Sequence, residues 1–137
     1  MGDKSEIVDG KAKPLANYPH FKRAGNFVFV SGTSARQADD SVTGAVQDED
    51  GTWQLDIKAQ TAGAIENVAD YLKSAGCGLE DIVEISVFLK NMGQFADFNA
   101  VYNSYFPQGG PARTTVEVSD LPRPELLIEL KVIAHQE

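Results

Sequence analysis

The sequence predicts an α+β domain in which a mixed sheet carries two helices on one face. Two segments, one after Asp56 and one at residues 95–106, place apolar residues at helical spacing. Segments before, between and after them alternate or cluster β-branched and aromatic residues, as strands do. Because two helices cannot cover both faces of such a sheet, we place both on the same face.

Length and charge restrict the function classes. The chain has 137 residues, which suits one domain over residues 1–137, with the polar residues 1–12 expected to be extended or frayed. Its net charge of −8 disfavours nucleic acid and anionic membranes as partners. The single cysteine, Cys77, excludes an internal disulfide and fits a reducing compartment. No apolar run reaches membrane-spanning length, so we expect a cytoplasmic protein.

In the first half of the chain, short strand signals are separated by turn residues. Residues 13–21, KPLANYPHF, contain two prolines and indicate an edge strand or an extended arm. Residues 26–31, NFVFVS, form a strand pattern between two glycines. Residues 32–51 are loop-like and end in a possible hairpin, and residues 52–56, TWQLD, suggest a short strand.

The second half alternates helix and strand patterns. Asp56 is placed to cap the first helix, and Lys73 and Gly76 mark its end. The second helix ends at Pro107. The strand pattern between them alternates, and two further strand patterns occupy residues 109–134. The expected apolar positions are Ile57, Ile65, Val68, Leu72 and Ala75 in the first helix, Val83, Ile85, Val87 and Leu89 in the strand, and Phe95, Phe98, Tyr102 and Phe106 in the second helix.

Two charged residues stand out in the last two strand patterns, which we expect to lie side by side, so that a cleft shared by both residues is feasible. Arg113 opens the first, and Glu129 lies within the apolar run of the second, beside Leu127 and Ile133. A strand that is apolar on both sides is buried on both sides, so we expect another copy of the chain to cover the second face. Arg113 is either a solvated arginine at a strand end or a carboxylate-binding group. Glu129 either pairs with a lysine (Lys90 or Lys131) or handles water or a proton in a cleft.

The sequence gives little support for a metal site or for a catalytic triad with a serine nucleophile. A hydrolytic zinc site needs three protein ligands, whereas the chain offers only two distant histidines, His20 and His135, and Cys77. Neither histidine has the surroundings of a Ser-His-Asp triad. We therefore expect no metal and no cofactor.

Three segments resemble the reactive-intermediate imine/enamine deaminases, the RidA/YjgF family. They are GNFVFVSG, the long segment from QTAGAIENVADYL to PARTTVEVSDLP, and LLIELKVIA. The resemblance implies a chorismate-mutase-like (YjgF) fold and a homotrimer with a central barrel and clefts between subunits. It implies that Arg113 binds a substrate carboxylate, that Glu129 positions the attacking water, and that Tyr18 and Ser31 line the cleft. Thr33 and Thr115 complete the expected substrate-binding residues, Thr115 standing where many members have cysteine.

The segments around SGTSARQADD look most like the 2-aminomuconate deaminase branch, which serves aromatic catabolism. A substrate with two carboxylates needs a second anchor, and Arg36 or His20 could supply it. Each also has an ordinary interpretation, an exposed loop arginine or a packed histidine. The expected function is thus 2-aminomuconate deaminase. The alternatives are an imine deaminase for 2-aminoacrylate or 2-iminobutanoate and a non-catalytic trimeric protein that binds a small ligand.

Overall fold

A six-stranded mixed sheet with two helices on one face forms the core of the computed structural model, which describes residues 4–137. The elements are β1 (Lys4–Glu6), β2 (Phe21–Ala24), β3 (Phe27–Thr33), β4 (Ala45–Gln47), β5 (Trp53–Leu55), α1 (Ile57–Ser74), β6 (Ile82–Leu89), α2 (Phe95–Tyr105), β7 (Ala112–Glu117) and β8 (Ile128–His135). Two short 3-10 turns, Leu79–Asp81 and Met92–Gln94, lie directly before β6 and α2.

The strand order β1-β2-β3-β8-β6-β7 places β6 between the last two strands of the chain. β6 and β7 are parallel, because α2 carries the chain back across the sheet, and the other pairs are antiparallel. The α+β prediction is therefore confirmed. The expectation that the last two strands lie side by side is wrong, and this difference decides the geometry of the site.

Helix α1 forms where the sequence predicts it. The carboxylate of Asp56 accepts hydrogen bonds from the backbone N–H groups of Lys58 and Ala59, at 2.9 and 3.1 Å, and so caps the helix. Gly76, just beyond the helix, has a φ of 81°, which favours glycine. The apolar side of α1 packs with that of α2 against the sheet, around residues such as Ile65, Leu72, Phe98, Ile128 and Leu130.

Several local expectations need correction. Residues 13–20 form no strand; the edge pattern begins only at Phe21, in β2. Residues 4–6 pair with β2 as β1, so this part of the N-terminus is extended but not frayed, while residues 1–3 lie outside the described part of the chain. A register shift between Ile82 and Glu84 turns Val83 away from the core, and Val83 is exposed.

The predicted hairpin is confirmed as the antiparallel pair β4–β5.

The face of the sheet opposite the helices carries exposed apolar side chains, among them Phe27, Phe29 and Val116. This agrees with strands that are apolar on both sides, and the covering copy stays a prediction. No helix within residues 4–137 is long and apolar enough to span a membrane.

Candidate functional site

Arg113 lies on the helix-facing side of edge strand β7, where it is half-buried against α2. Its guanidinium carbon lies 4.7 Å from the ring centroid of Tyr102, 5.1 Å from that of Phe98 and 5.6 Å from that of Phe95. Its Nη1 donates a 2.8 Å hydrogen bond to Oδ1 of Asn99. The aromatic rings hold the cation through cation–π attraction and exclude water from its flanks.

No carboxylate within residues 4–137 lies within 4.0 Å of the guanidinium of Arg113. The side chain faces an open depression, whose other walls include Tyr102, Phe106 and the loop at residues 109–111. Burial against α2 disfavours the interpretation of Arg113 as a solvated strand-end arginine. A partly buried cation without a carboxylate partner in this part of the chain is suited to bind an external anion.

Glu129 is half-buried in β8, and its side chain makes neither a hydrogen bond nor an ion pair with any residue from 4 to 137. Lys90 instead lies 3.6 Å from Asp120, and Lys131 forms no ion pair in this part of the chain. Burial alone raises the pKa of the Glu129 carboxyl. The lysine-pairing interpretation is thus wrong, and the carboxyl holds a proton more readily than an exposed glutamate does.

Gly32 leaves room for the Glu129 carboxyl group. A Cβ added at residue 32 would lie 3.0 Å from the Glu129 carboxyl carbon and would collide with Oε1. Any larger residue at this position would push the carboxyl group aside. Sequence reasoning treated Gly32 only as the end of a strand, because the approach of Glu129 depends on pairing between strands far apart in the chain.

Arg113 and Glu129 do not meet within one chain. Arg113 pairs with Ile85 in the sheet, and Ile85 also pairs with Val132, a buried residue on the helix side. Glu129 pairs with Phe88, one of the residues on the other side. Because paired residues point to the same face, Arg113 and Glu129 lie on opposite faces, with β6 between their strands. A cleft shared by both within one chain, feasible from the sequence, is excluded.

Tyr18 and Ser31 come together near Gly32, on the Glu129-bearing half of the fold. The Ser31 hydroxyl donates a 2.8 Å hydrogen bond to the carbonyl of Pro19, which holds the preceding segment against β3. Tyr18 is exposed, and its hydroxyl accepts a hydrogen bond from the Leu15 N–H at 3.3 Å, so it can still donate to a ligand. The neighbouring Thr33 is buried and donates at 2.8 Å to the Ser31 carbonyl, so its hydroxyl proton is already used within β3.

His20 is a structural residue in this fold and not a second anchor. Its Nδ1 accepts a 2.8 Å hydrogen bond from the Val8 N–H, so its Nε2 carries the proton and donates at 2.8 Å to the Ala12 carbonyl. The ring stacks on Tyr71 with centroids 4.4 Å apart. Both nitrogens therefore fasten the N-terminal segment to the sheet, and neither can reach a substrate.

The guanidinium of Arg36 is likewise bound by groups of the protein itself. Its Nη1 lies 2.9 Å from the Asp40 carboxylate, its Nη2 donates to the Lys13 carbonyl, and its side chain is only 13% exposed. The polar depression that it shares with Tyr18, His20, Ser31 and Thr33 has a volume of about 40 Å³. That space suits a few water molecules and not a dicarboxylate. The expectation that Arg36 provides a second carboxylate anchor is not supported.

Thr115 lies two residues from Arg113 on the same side of β7, next to Val87 in the sheet. Its hydroxyl oxygen is buried and has no hydrogen-bond partner within residues 4–137. The hydroxyl must rotate outward to reach a ligand, so the substrate-binding role of Thr115 stays a prediction.

Known proteins resemble this chain in sequence and in fold. The family described as Endoribonuclease L-PSP matches residues 10–136. The chain belongs to this family. It is 41% identical over 135 residues to a RutC family protein of Pyrococcus abyssi, a match that covers 98% of each chain. It is 33% identical over 129 residues to the 3-aminoacrylate deaminase RutC of Acinetobacter baylyi, covering 94% of each.

The crystal structure of the Escherichia coli YjgF gene product superposes with a TM-score of 0.83 at 28% identity, covering 98% of this chain and 99% of the other. The predicted membership of the RidA/YjgF family is thereby confirmed, together with its fold. The matches do not single out the 2-aminomuconate branch.

Proposed function

We propose that the protein is a metal-free imine/enamine deaminase, a hydrolase that releases ammonia from a small carboxylate-bearing substrate. The observation that carries the proposal is Arg113, a half-buried cation fixed against three aromatic rings with no carboxylate partner within residues 4–137. It would hold the substrate carboxylate. Similarity to the 3-aminoacrylate deaminase RutC supports the reaction class.

Glu129 would perform the proton transfers. An enamine tautomerises to an imine, and water adds to the imine carbon while the Glu129 carboxylate takes a proton from it. The carboxylic acid then returns this proton to the nitrogen of the carbinolamine. The same carboxylate then passes the proton of the carbinolamine hydroxyl to the nitrogen, the C–N bond breaks, and the products are ammonia and the oxo compound. The pKa of the Glu129 carboxyl is raised by burial, which makes the carboxylate a better proton acceptor for this step.

Because Arg113 and Glu129 lie on opposite faces of the sheet, we propose that each active site combines two copies of the chain. One copy supplies Arg113 from edge strand β7, and its neighbour supplies Glu129 with Tyr18 and Ser31. A homotrimer with a central barrel provides such interfaces and covers the exposed apolar face of the sheet. The proposed location is the cytoplasm, where a lone thiol such as Cys77 stays reduced.

For the specific substrate we propose 2-aminomuconate, on the resemblance of the segments around residues 31–40. The structure adds no support, since Arg36 and His20 are both engaged by the protein. A monocarboxylate substrate of the aminoacrylate type needs only Arg113 and is the second candidate. Cleavage of RNA is disfavoured by the net charge of −8.

The test is ammonia release from 2-aminomuconate, 2-aminoacrylate and 3-aminoacrylate, each generated in the assay, above the uncatalysed rate. Turnover of any of them that disappears in Arg113→Ala supports the deaminase. Turnover of 2-aminomuconate alone supports the finer assignment, whereas turnover of an aminoacrylate alone refutes it. Carboxylate binding with no turnover of any substrate would favour the ligand-binding alternative.

A further inference from the structure

Side chains along one face of α2 surround the guanidinium of Arg113. Phe95, Phe98, Asn99 and Tyr102 follow the i, i+3, i+4, i+7 spacing that places side chains on one helix face. Three of them contribute the aromatic rings at 4.7–5.6 Å from the guanidinium carbon. Asn99 contributes the only hydrogen bond that the guanidinium makes within residues 4–137, at 2.8 Å.

The rings and the amide restrain different motions. Cation–π attraction to the rings holds the guanidinium against α2, but it leaves the group free to turn within its own plane. A hydrogen bond in that plane fixes the remaining rotation, and two-point binding of a carboxylate depends on it. Since the amide oxygen of Asn99 bonds only Nη1, Nη2 and Nε have no acceptor within residues 4–137.

We propose that Asn99 is a positioning residue that orients Arg113 for a substrate carboxylate; the proposal rests on the function proposed above. A neutral acceptor suits this role because it fixes the cation without neutralising it. An aspartate has nearly the same shape, but its charge would occupy Arg113 and compete with the substrate. Charge, and not shape, is therefore the property of residue 99 that the site requires.

The experiment compares Asn99→Asp, Asn99→Ala and Ala100→Asp with the wild type. Ala100 is exposed and adjacent to Asn99, so Ala100→Asp adds the same charge to α2 away from Arg113. Binding of pyruvate, a simple 2-oxo acid, is measured by calorimetry, and ammonia release provides KM and kcat. We expect Asn99→Asp to weaken pyruvate binding and raise KM roughly 10- to 100-fold, with kcat changed little. Asn99→Ala should weaken binding roughly 3- to 10-fold, and Ala100→Asp should leave it unchanged.

A merely structural role would lower thermal stability and the active fraction, and hence kcat, without raising KM. Wild-type KM and pyruvate affinity in Asn99→Asp would overturn the proposal, as would equal losses in Ala100→Asp. If Asn99→Asp does not fold, unchanged binding in Asn99→Ala overturns it. Absence of ammonia release by the wild type, with pyruvate binding still lost in Asn99→Asp, refutes the deaminase function but not the positioning role. Absence of both pyruvate binding and ammonia release in the wild type overturns both.

Discussion

Replacing Gly32 with alanine places a methyl group against the carboxyl group of Glu129. The added Cβ lies 3.0 Å from the carboxyl carbon, whereas carbon atoms in favourable contact are about 3.5–4.0 Å apart. The carboxyl group must therefore move by about 0.5–1 Å. The backbone at Gly32 has no positive φ, so the substitution carries no backbone strain of its own. A displacement of this size at a proton-transfer group lowers kcat by about 10- to 100-fold.

Steady-state ammonia release measures this effect, and circular dichroism checks that Gly32→Ala is folded. The matched comparison is a double-mutant cycle with Glu129→Ala. If alanine at 32 acts only by displacing the carboxyl group, it has no further effect once that group is gone. The reasoning is refuted if Gly32→Ala keeps full kcat, or if it reduces the residual activity of Glu129→Ala by the same factor.

Three further predictions concern single groups. Arg113→Lys keeps the charge but loses the planar fork, so KM should rise about 10- to 100-fold; an unchanged KM contradicts a two-point contact. Burial raises the pKa of the Glu129 carboxyl in the folded protein. Above the pKa that this carboxyl has in the unfolded chain, its ionisation therefore lowers the free energy of unfolding. Well below that pKa the carboxyl is protonated in both states, and its ionisation has no effect on stability. Glu129→Gln should therefore increase the free energy of unfolding in urea more at about pH 7.5 than at about pH 3, and the opposite trend refutes the burial argument. The side chain of Gln60, 0% exposed, donates to the Glu125 carbonyl at 2.8 Å and accepts from the Leu127 N–H at 2.9 Å. Gln60→Leu should cost about 2–5 kcal/mol, and a loss below about 1 kcal/mol in urea unfolding would count against this role.

Local signals account for the parts of the fold that the sequence predicted. Asp56 caps α1, and the apolar spacing of both helices survives in the core because helix hydrogen bonds join neighbours in the chain. The prediction that Arg113 and Glu129 are functional also used local information, the presence of charge in apolar strand patterns.

The features that the sequence did not predict depend on pairing between strands that are far apart in the chain. The insertion of β6 between β7 and β8 separates Arg113 from Glu129, and periodicity within one strand contains no information about strand order. The sequence could not decide whether His20 is a ligand group or a packed histidine, because its partners, Val8 and Ala12, are backbone groups in a segment without a periodic pattern. Phe95, Phe98 and Tyr102 were predicted as part of the apolar stripe of the second helix, and only the structure shows that their rings surround Arg113.

Complementation between two impaired variants tests the shared active site most directly. Under this account Arg113→Ala loses ammonia release and Glu129→Gln keeps about 1% of it or less, since every site lacks one group. Unfolding a 1:1 mixture and refolding it together forms mixed oligomers, in which about a quarter of the neighbouring pairs combine an intact Arg113 with an intact Glu129. Recovery of about a quarter of wild-type activity, absent when the variants are refolded separately and then mixed, is the expected result. No recovery in mixed oligomers would contradict an active site built from two copies.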